Sequence, residues 1–150
     1  MRSKRRDTDT VVHRVIRRRR ERWRPRDGSH PAIVGRARAW VRRILPRLLT
    51  RPVRPGLGDD LDLVLSELVT NAIKHGGRCV EVELHTAGDM LRLSVTDTRT
   101  ASPFVNPAGE IPGESGRGMF LVQAVARRWG VRRIRSRGGK AVWLDLPLHP

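Results

Sequence analysis

One cysteine, no tyrosine and two phenylalanines occur in 150 residues. A lone thiol excludes an internal disulfide, and no Cys/His spacing of the zinc-ligand kind exists. Cys79 is read as a small buried residue near a strand start, with a reactive thiol as the alternative. Aromatic residues make up 4% of the chain and do not alternate with its cations. Nucleic acid is therefore disfavoured as a partner, because base stacking needs such interleaving. No apolar run approaches the ~18 residues of a membrane span, so no membrane partner is expected. The basic N-terminus leads into no apolar stretch of the secretory kind, and a cytoplasmic protein is expected. Lysine is scarce: only Lys4, Lys74 and Lys140 are present, and every other formal cation is arginine.

Charge is what the chain has in excess, at +16. Residues 1–54 hold 19 Lys+Arg and 4 Asp+Glu, a net of +15, whereas residues 55–150 are almost neutral at +1. The excess thus lies in an N-terminal segment and the first helix. Residues 1–28 include the run "VIRRRRERWRPRDG", whose self-repulsion predicts a disordered leader. It reads as a solvated tail or as an arm for phosphate or acidic groups. Residues 29–150 are read as one domain.

Within that domain, "HPAIVGRARAWVRRIL" carries apolar residues at helical spacing. Pro31 suits its first turn, Ser29 or His30 can cap it, and Pro46 is expected to kink or end it. A second helix is predicted over about 59–75. Its apolar stripe is Leu61, Val64, Leu65, Leu68, Val69 and Ala72, and Gly76 is expected to stop it in a left-handed conformation. "CVEVELHT" and "MLRLSVTD" alternate as strands around the short turn "AGD". Val80, Val82 and Leu84 are expected on one face of the first. Residues 98–115 form a long loop rich in Pro, Gly, Ser and Thr, of the kind that serves as a lid. "GRGMFLVQAVARRWG" reads as a third helix ending at Gly130, with Val122, Val125, Ala126 and Trp129 inward. A second hairpin, "VRRIRSR" then "GGK" then "AVWLDLPL", closes the chain. Paired strands and grouped helices predict an α/β two-layer sandwich, with helices on one face of a mostly antiparallel sheet.

Chemistry concentrates at three places. Glu67, Asn71 and His75 fall four residues apart on one helical stripe. An amide oxygen suits Mg²⁺, which keeps waters and shares phosphates, and a carboxylate one turn away can accept a hydroxyl proton. A solvated face of polar pairs is the plain alternative. Asp97 closes an apolar strand, as a ligand-reaching carboxylate or a turn former. "GESGRG", from Gly113 to Gly118, leads glycines into a helix N-terminus, where bare N–H groups attract anions or where the chain simply hinges.

Taken together, "ELVTNAIKHG", "VTD" and "GESGRGMFLV" resemble the N box and glycine boxes of the gyrase/chaperone/histidine-kinase ATPase superfamily, the Bergerat fold. Within it the chain looks most like bacterial anti-sigma-factor serine/threonine kinases over about residues 30–148. The resemblance implies ATP and Mg²⁺, with Asn71 as metal ligand and Glu67 as general base toward an acceptor serine. It places His75 near the phosphates and Asp97 on the adenine amino group. It also implies that Gly113, Gly116, Arg117, Gly118 and Met119 line the phosphate side as the lid closes. A sigma factor and an anti-sigma antagonist protein are the implied partners, and a homodimer is the implied assembly. Two positions depart from the family pattern: Arg99 replaces a glycine near adenine, and Ala141 falls where an adenine-facing threonine is common. They leave open a second reading, a non-catalytic module that sequesters a partner and carries a degenerate nucleotide site.

Overall fold

The computed structural model describes residues 19–99 and 115–150. Its elements are β1 (Arg19–Trp23), α1 (Ile33–Leu48), α2 (Leu57–Lys74), β2 (Cys79–Ala87), β3 (Met90–Asp97), α3 (Ser115–Val125), β4 (Arg128–Arg133) and β5 (Lys140–Pro147). The strands form one antiparallel sheet in the order β1-β2-β3-β5-β4. The helices cover one face of it, and the predicted two-layer sandwich is the fold that forms.

The core follows from periodicity. On α1, Ile33, Ala37, Trp40, Val41, Ile44 and Leu48 are buried, and the predicted stripe of α2 is buried along its whole length. These meet Val82 and Leu84 of β2, Leu91, Leu93 and Val95 of β3, and Val142, Leu144 and Leu146 of β5. Alternation by two sends the neighbouring residues to the opposite sheet face.

Five local expectations require correction. The N-terminal segment is not wholly a disordered leader, because Arg19–Trp23 pairs with β2 as an edge strand. Arg22 meets Glu83 at 2.6 Å and Arg24 meets Glu81 at 2.8 Å, while Trp23 stacks on Trp40 with centroids 6.3 Å apart. Residues 1–18 lie outside the described residues. Pro46 does not end α1 where it stands, since the helix runs two residues beyond it to Leu48. Val80 is only half-buried, because a bulge between Cys79 and Glu81 takes it out of the alternation. At the end of α2 the left-handed residue is Gly77, with φ +81°, rather than Gly76. Finally, α3 stops at Val125, and Trp129 and Gly130 belong to β4. Gly130 lies under the Trp143 ring, where a Cβ would stand 2.8 Å from a ring carbon.

On the helix-free face, Asp145 is buried and gathers two arginines across three strands. Arg92 clasps it through two contacts of 2.7 and 2.9 Å and Arg128 approaches to 2.7 Å. The Arg92 guanidinium also lies 4.1 Å from the Trp143 ring centroid. Burial pushes the Asp145 carboxyl up, but the two arginines outweigh it and hold the group below the ordinary carboxylate range. Its stabilisation is therefore present above the unfolded aspartate value of about 4 and is lost as pH falls through the depressed folded value. Asp145→Ala is expected to cost about 2 kcal/mol near neutral pH. Denaturant unfolding should show that difference shrinking in acid.

Candidate nucleotide site

The site is built where the C-terminal half of α2, the end of β3, the start of β5 and the N-terminal part of α3 converge. Glu67 and Asn71 lie one turn apart on α2, both half-buried. They flank the buried stripe that packs on the sheet, so the core fixes their direction. Among the described residues, neither side chain is committed to a hydrogen bond or an ion pair. α3 crosses α2 at Glu67. A Cβ on Gly118 would stand 2.1 Å from Glu67 Oε2, so a larger residue there would push the Glu67 carboxylate aside. Gly118 and Met119 are buried, and Met119 turns its side chain into the core.

Asp97 lies at the other end, buried to 4% exposure. Gly76 is required here for space, because a Cβ would stand 2.4 Å from Asp97 Oδ2 and 2.7 Å from the Ala72 carbonyl oxygen. Thr98 Oγ1 donates to the Gly76 carbonyl at 3.1 Å, tying the end of β3 to the end of α2. Gly139, at φ +102°, lets the β4–β5 turn approach the Asp97 carbonyl.

The partner of Asp97 is not visible in the sequence alone. Lys140 Nζ lies 3.0 Å from Oδ1 and 2.9 Å from Oδ2, with both side chains 5% exposed. The Arg99 backbone N–H donates to Oδ1 at 2.9 Å. Burial pushes the Asp97 carboxyl above its ordinary value, against the opposing pull of Lys140 and Arg99. Nearby Cys79 is buried, and its thiol is pushed up to about 12, chiefly by burial and then by Asp97. It is a packed, protonated thiol rather than a nucleophile. The signal for Lys140 is the lone lysine after "GG", but only the register Asp97↔Lys140 shows its meaning.

One further expectation changes. Ala141 does not face the site. It is buried on the opposite sheet face, paired with Thr96 and Arg132, because alternation turns Lys140 rather than Ala141 toward Asp97. The Arg99 Nη1 donates to the His75 carbonyl at 2.8 Å and caps the end of α2. His75 itself is exposed as the C-cap of that helix. Gly113 lies outside the described residues, as does the predicted lid over 98–115 except for its ends at 98–99 and 115. Gly116 and Arg117 fall in the first turn of α3.

Among the described residues, no three His, Cys, Asp or Glu side chains converge as a metal cage. The donor set instead suits a hard cation that takes one amide oxygen and completes its shell with water and phosphate. No helix among the described residues is long and apolar enough to cross a membrane.

Residues 29–146 match the family of the histidine kinase-like ATPase domain. The chain belongs to that family. Its fold is accordingly the Bergerat-type ATPase sandwich. Among solved structures, the chain is similar to the histidine kinase domain of the blue-light activated histidine kinase from Erythrobacter litoralis EL346. That likeness has 23% identity and a TM-score of 0.48, and it covers 79% of this chain and 60% of the other. The chain therefore spans about three-fifths of that domain's length. No curated protein matches it.

Proposed function

We propose that this histidine kinase-like ATPase domain is an ATP-dependent serine/threonine kinase of the anti-sigma-factor type. It would phosphorylate an anti-sigma antagonist protein and hold a sigma factor, working as a homodimer in the cytoplasm. The observation that carries this reading is the Glu67/Asn71 pair, two uncommitted oxygen-bearing side chains one turn apart with Gly118 of α3 laid against Glu67.

Asn71 would hold Mg²⁺, and Asp97 would accept the adenine amino group. The N–H groups of Gly113, Gly116, Arg117, Gly118 and Met119 would face the phosphates, whereas His75, the C-cap of α2, lies beside Gly76 at the Asp97 end. When bound, Mg·ATP supplies an activated phosphoryl group with its charge partly neutralised. Glu67 takes the proton from the acceptor serine hydroxyl as that oxygen attacks. The basic face of α1, with Arg36, Arg42, Arg43 and Arg47, would offer an acidic partner its contact.

Calorimetric titration with Mg·ATP tests the nucleotide site, and turnover of γ-labelled ATP separates a kinase from a sequestering module. Glu67→Ala is expected to slow phosphoryl transfer about a hundredfold or more, with ATP affinity changed less than about threefold. Parallel losses in rate and affinity would argue against a base.

A further inference from the structure

At the proposed base end, Asp97 is paired with Lys140, and both side chains are buried. A buried carboxylate has four lone-pair positions to satisfy. On Asp97, Oδ1 takes Lys140 Nζ and the Arg99 N–H, while Oδ2 takes Lys140 alone. The Lys140 ammonium lies 3.0 and 2.9 Å from the two carboxylate oxygens and 3.4 Å from the Arg99 carbonyl. Acceptor capacity remains on Asp97, while Lys140 is buried against it at 4% exposure. Lys140 therefore acts through Asp97 rather than on a ligand.

What it does there is electrostatic. Without a cation, a carboxyl this buried favours its neutral form. A neutral acid presents a hydroxyl donor on one oxygen, and a carboxylate presents acceptors only. That difference decides which purine edge fits. A 6-amino purine offers an N–H donor and needs an acceptor, while a 6-oxo purine offers an acceptor and welcomes a donor. Among the described residues, the other charged or titratable groups around Asp97 do less than Lys140. Arg99 directs its guanidinium to the His75 carbonyl, Cys79 is a protonated thiol, and Lys74 and His75 are exposed at the end of α2.

We propose that Lys140 is a specificity-determining positioning residue whose buried ammonium holds Asp97 as a carboxylate, so that the base end selects a 6-amino over a 6-oxo purine nucleotide. This rests on the ATP-site reading and adds to it the source of base selectivity and its pH range.

The test is calorimetric titration of the full chain with Mg·ATP and Mg·ITP at about pH 6, 7 and 8, for wild type and Lys140→Met. Wild type is expected to prefer ATP by about tenfold or more across this range. In Lys140→Met, ATP affinity should fall about tenfold at the acid end and recover toward the alkaline end as Asp97 ionises. The pH midpoint should lie at least about one unit higher than in wild type. ATP-over-ITP selectivity should collapse to about threefold or less at the acid end. If Lys140→Met does not fold, Lys140→Gln keeps a hydrogen-bond donor without the charge and carries the same comparison. The neutral pair Asp97→Asn/Lys140→Met should bind with no pH dependence.

Equal losses of ATP and ITP at every pH would reduce Lys140 to a structural strut and overturn the proposal. Tighter ATP binding by Lys140→Met would also overturn it, by showing that the ammonium competes with the base for Asp97. Both results leave the ATP site intact. A wild type that binds neither nucleotide would overturn the site reading itself, and this proposal with it.

Discussion

Asn71→Ala is expected to lower Mg·ATP affinity by about a hundredfold or more while the domain still folds. The side chain is half-buried on α2 and supports nothing in the core. Alanine is the better helix former, so the helix loses no intrinsic stability. The backbone carbonyl of residue 71 keeps its two bonds, from the His75 N–H at 2.9 Å and the Gly76 N–H at 3.1 Å, so the helix end is preserved. What disappears is the amide oxygen that would coordinate Mg²⁺. Circular dichroism should give an unchanged spectrum and melting point, and calorimetry should show the loss. Full transfer activity in Asn71→Ala would remove the metal role from this residue.

Gly139→Ala is expected to have the largest effect on stability, about 3 kcal/mol. Two costs combine at that position. A φ of +102° lies outside what an L side chain adopts readily. A Cβ would also stand 2.1 Å from the Asp97 carbonyl oxygen, a backbone atom in a paired strand that cannot swing away. For a domain of this size the melting temperature should drop by roughly 10 °C. The neighbouring Gly138, at φ +64°, has no atom within 4 Å of where a methyl group would stand, and it serves as the control. Its alanine variant carries only the backbone cost and should lose less. Because Gly139 abuts Asp97, the more damaged variant should also bind nucleotide more weakly.

Much of this arrangement is legible in the sequence because it rests on local periodicity. The α2 stripe, the first hairpin and the Glu67/Asn71 spacing all follow from periods of 3.6 and 2. What escapes such reading depends on residues far apart in the chain. β1 reads as a self-repelling arginine run until its partners are known, and Glu81 and Glu83 lie 57 and 61 residues from Arg24 and Arg22. The stretch "ARRWG" continues a helical pattern, but Asp145 draws Arg128 into a strand and Trp143 needs the space over Gly130. Ala141 and Lys140 exchange roles through a single step of register, which turns every side chain of a strand to the other face. The sequence asks for Gly76 on account of a backbone angle; the carboxylate of Asp97, across the site, is what demands it.

The two outermost strands of the sheet have the sequences RRERW and RWGVRR, and exposed arginines stand on both. Among the described residues, each has one row of backbone groups that no other strand of this sheet satisfies. Such rows invite further strands and, with them, fibre-like growth. Laying a second copy edge to edge would bring guanidinium groups against guanidinium groups, a contact that repels. Among the described residues, the borders of the sheet are thus guarded by charge rather than by covering chain, and this protection is ionic. It should weaken as salt screens the repulsion, and turbidity or light scattering at rising ionic strength would register its loss.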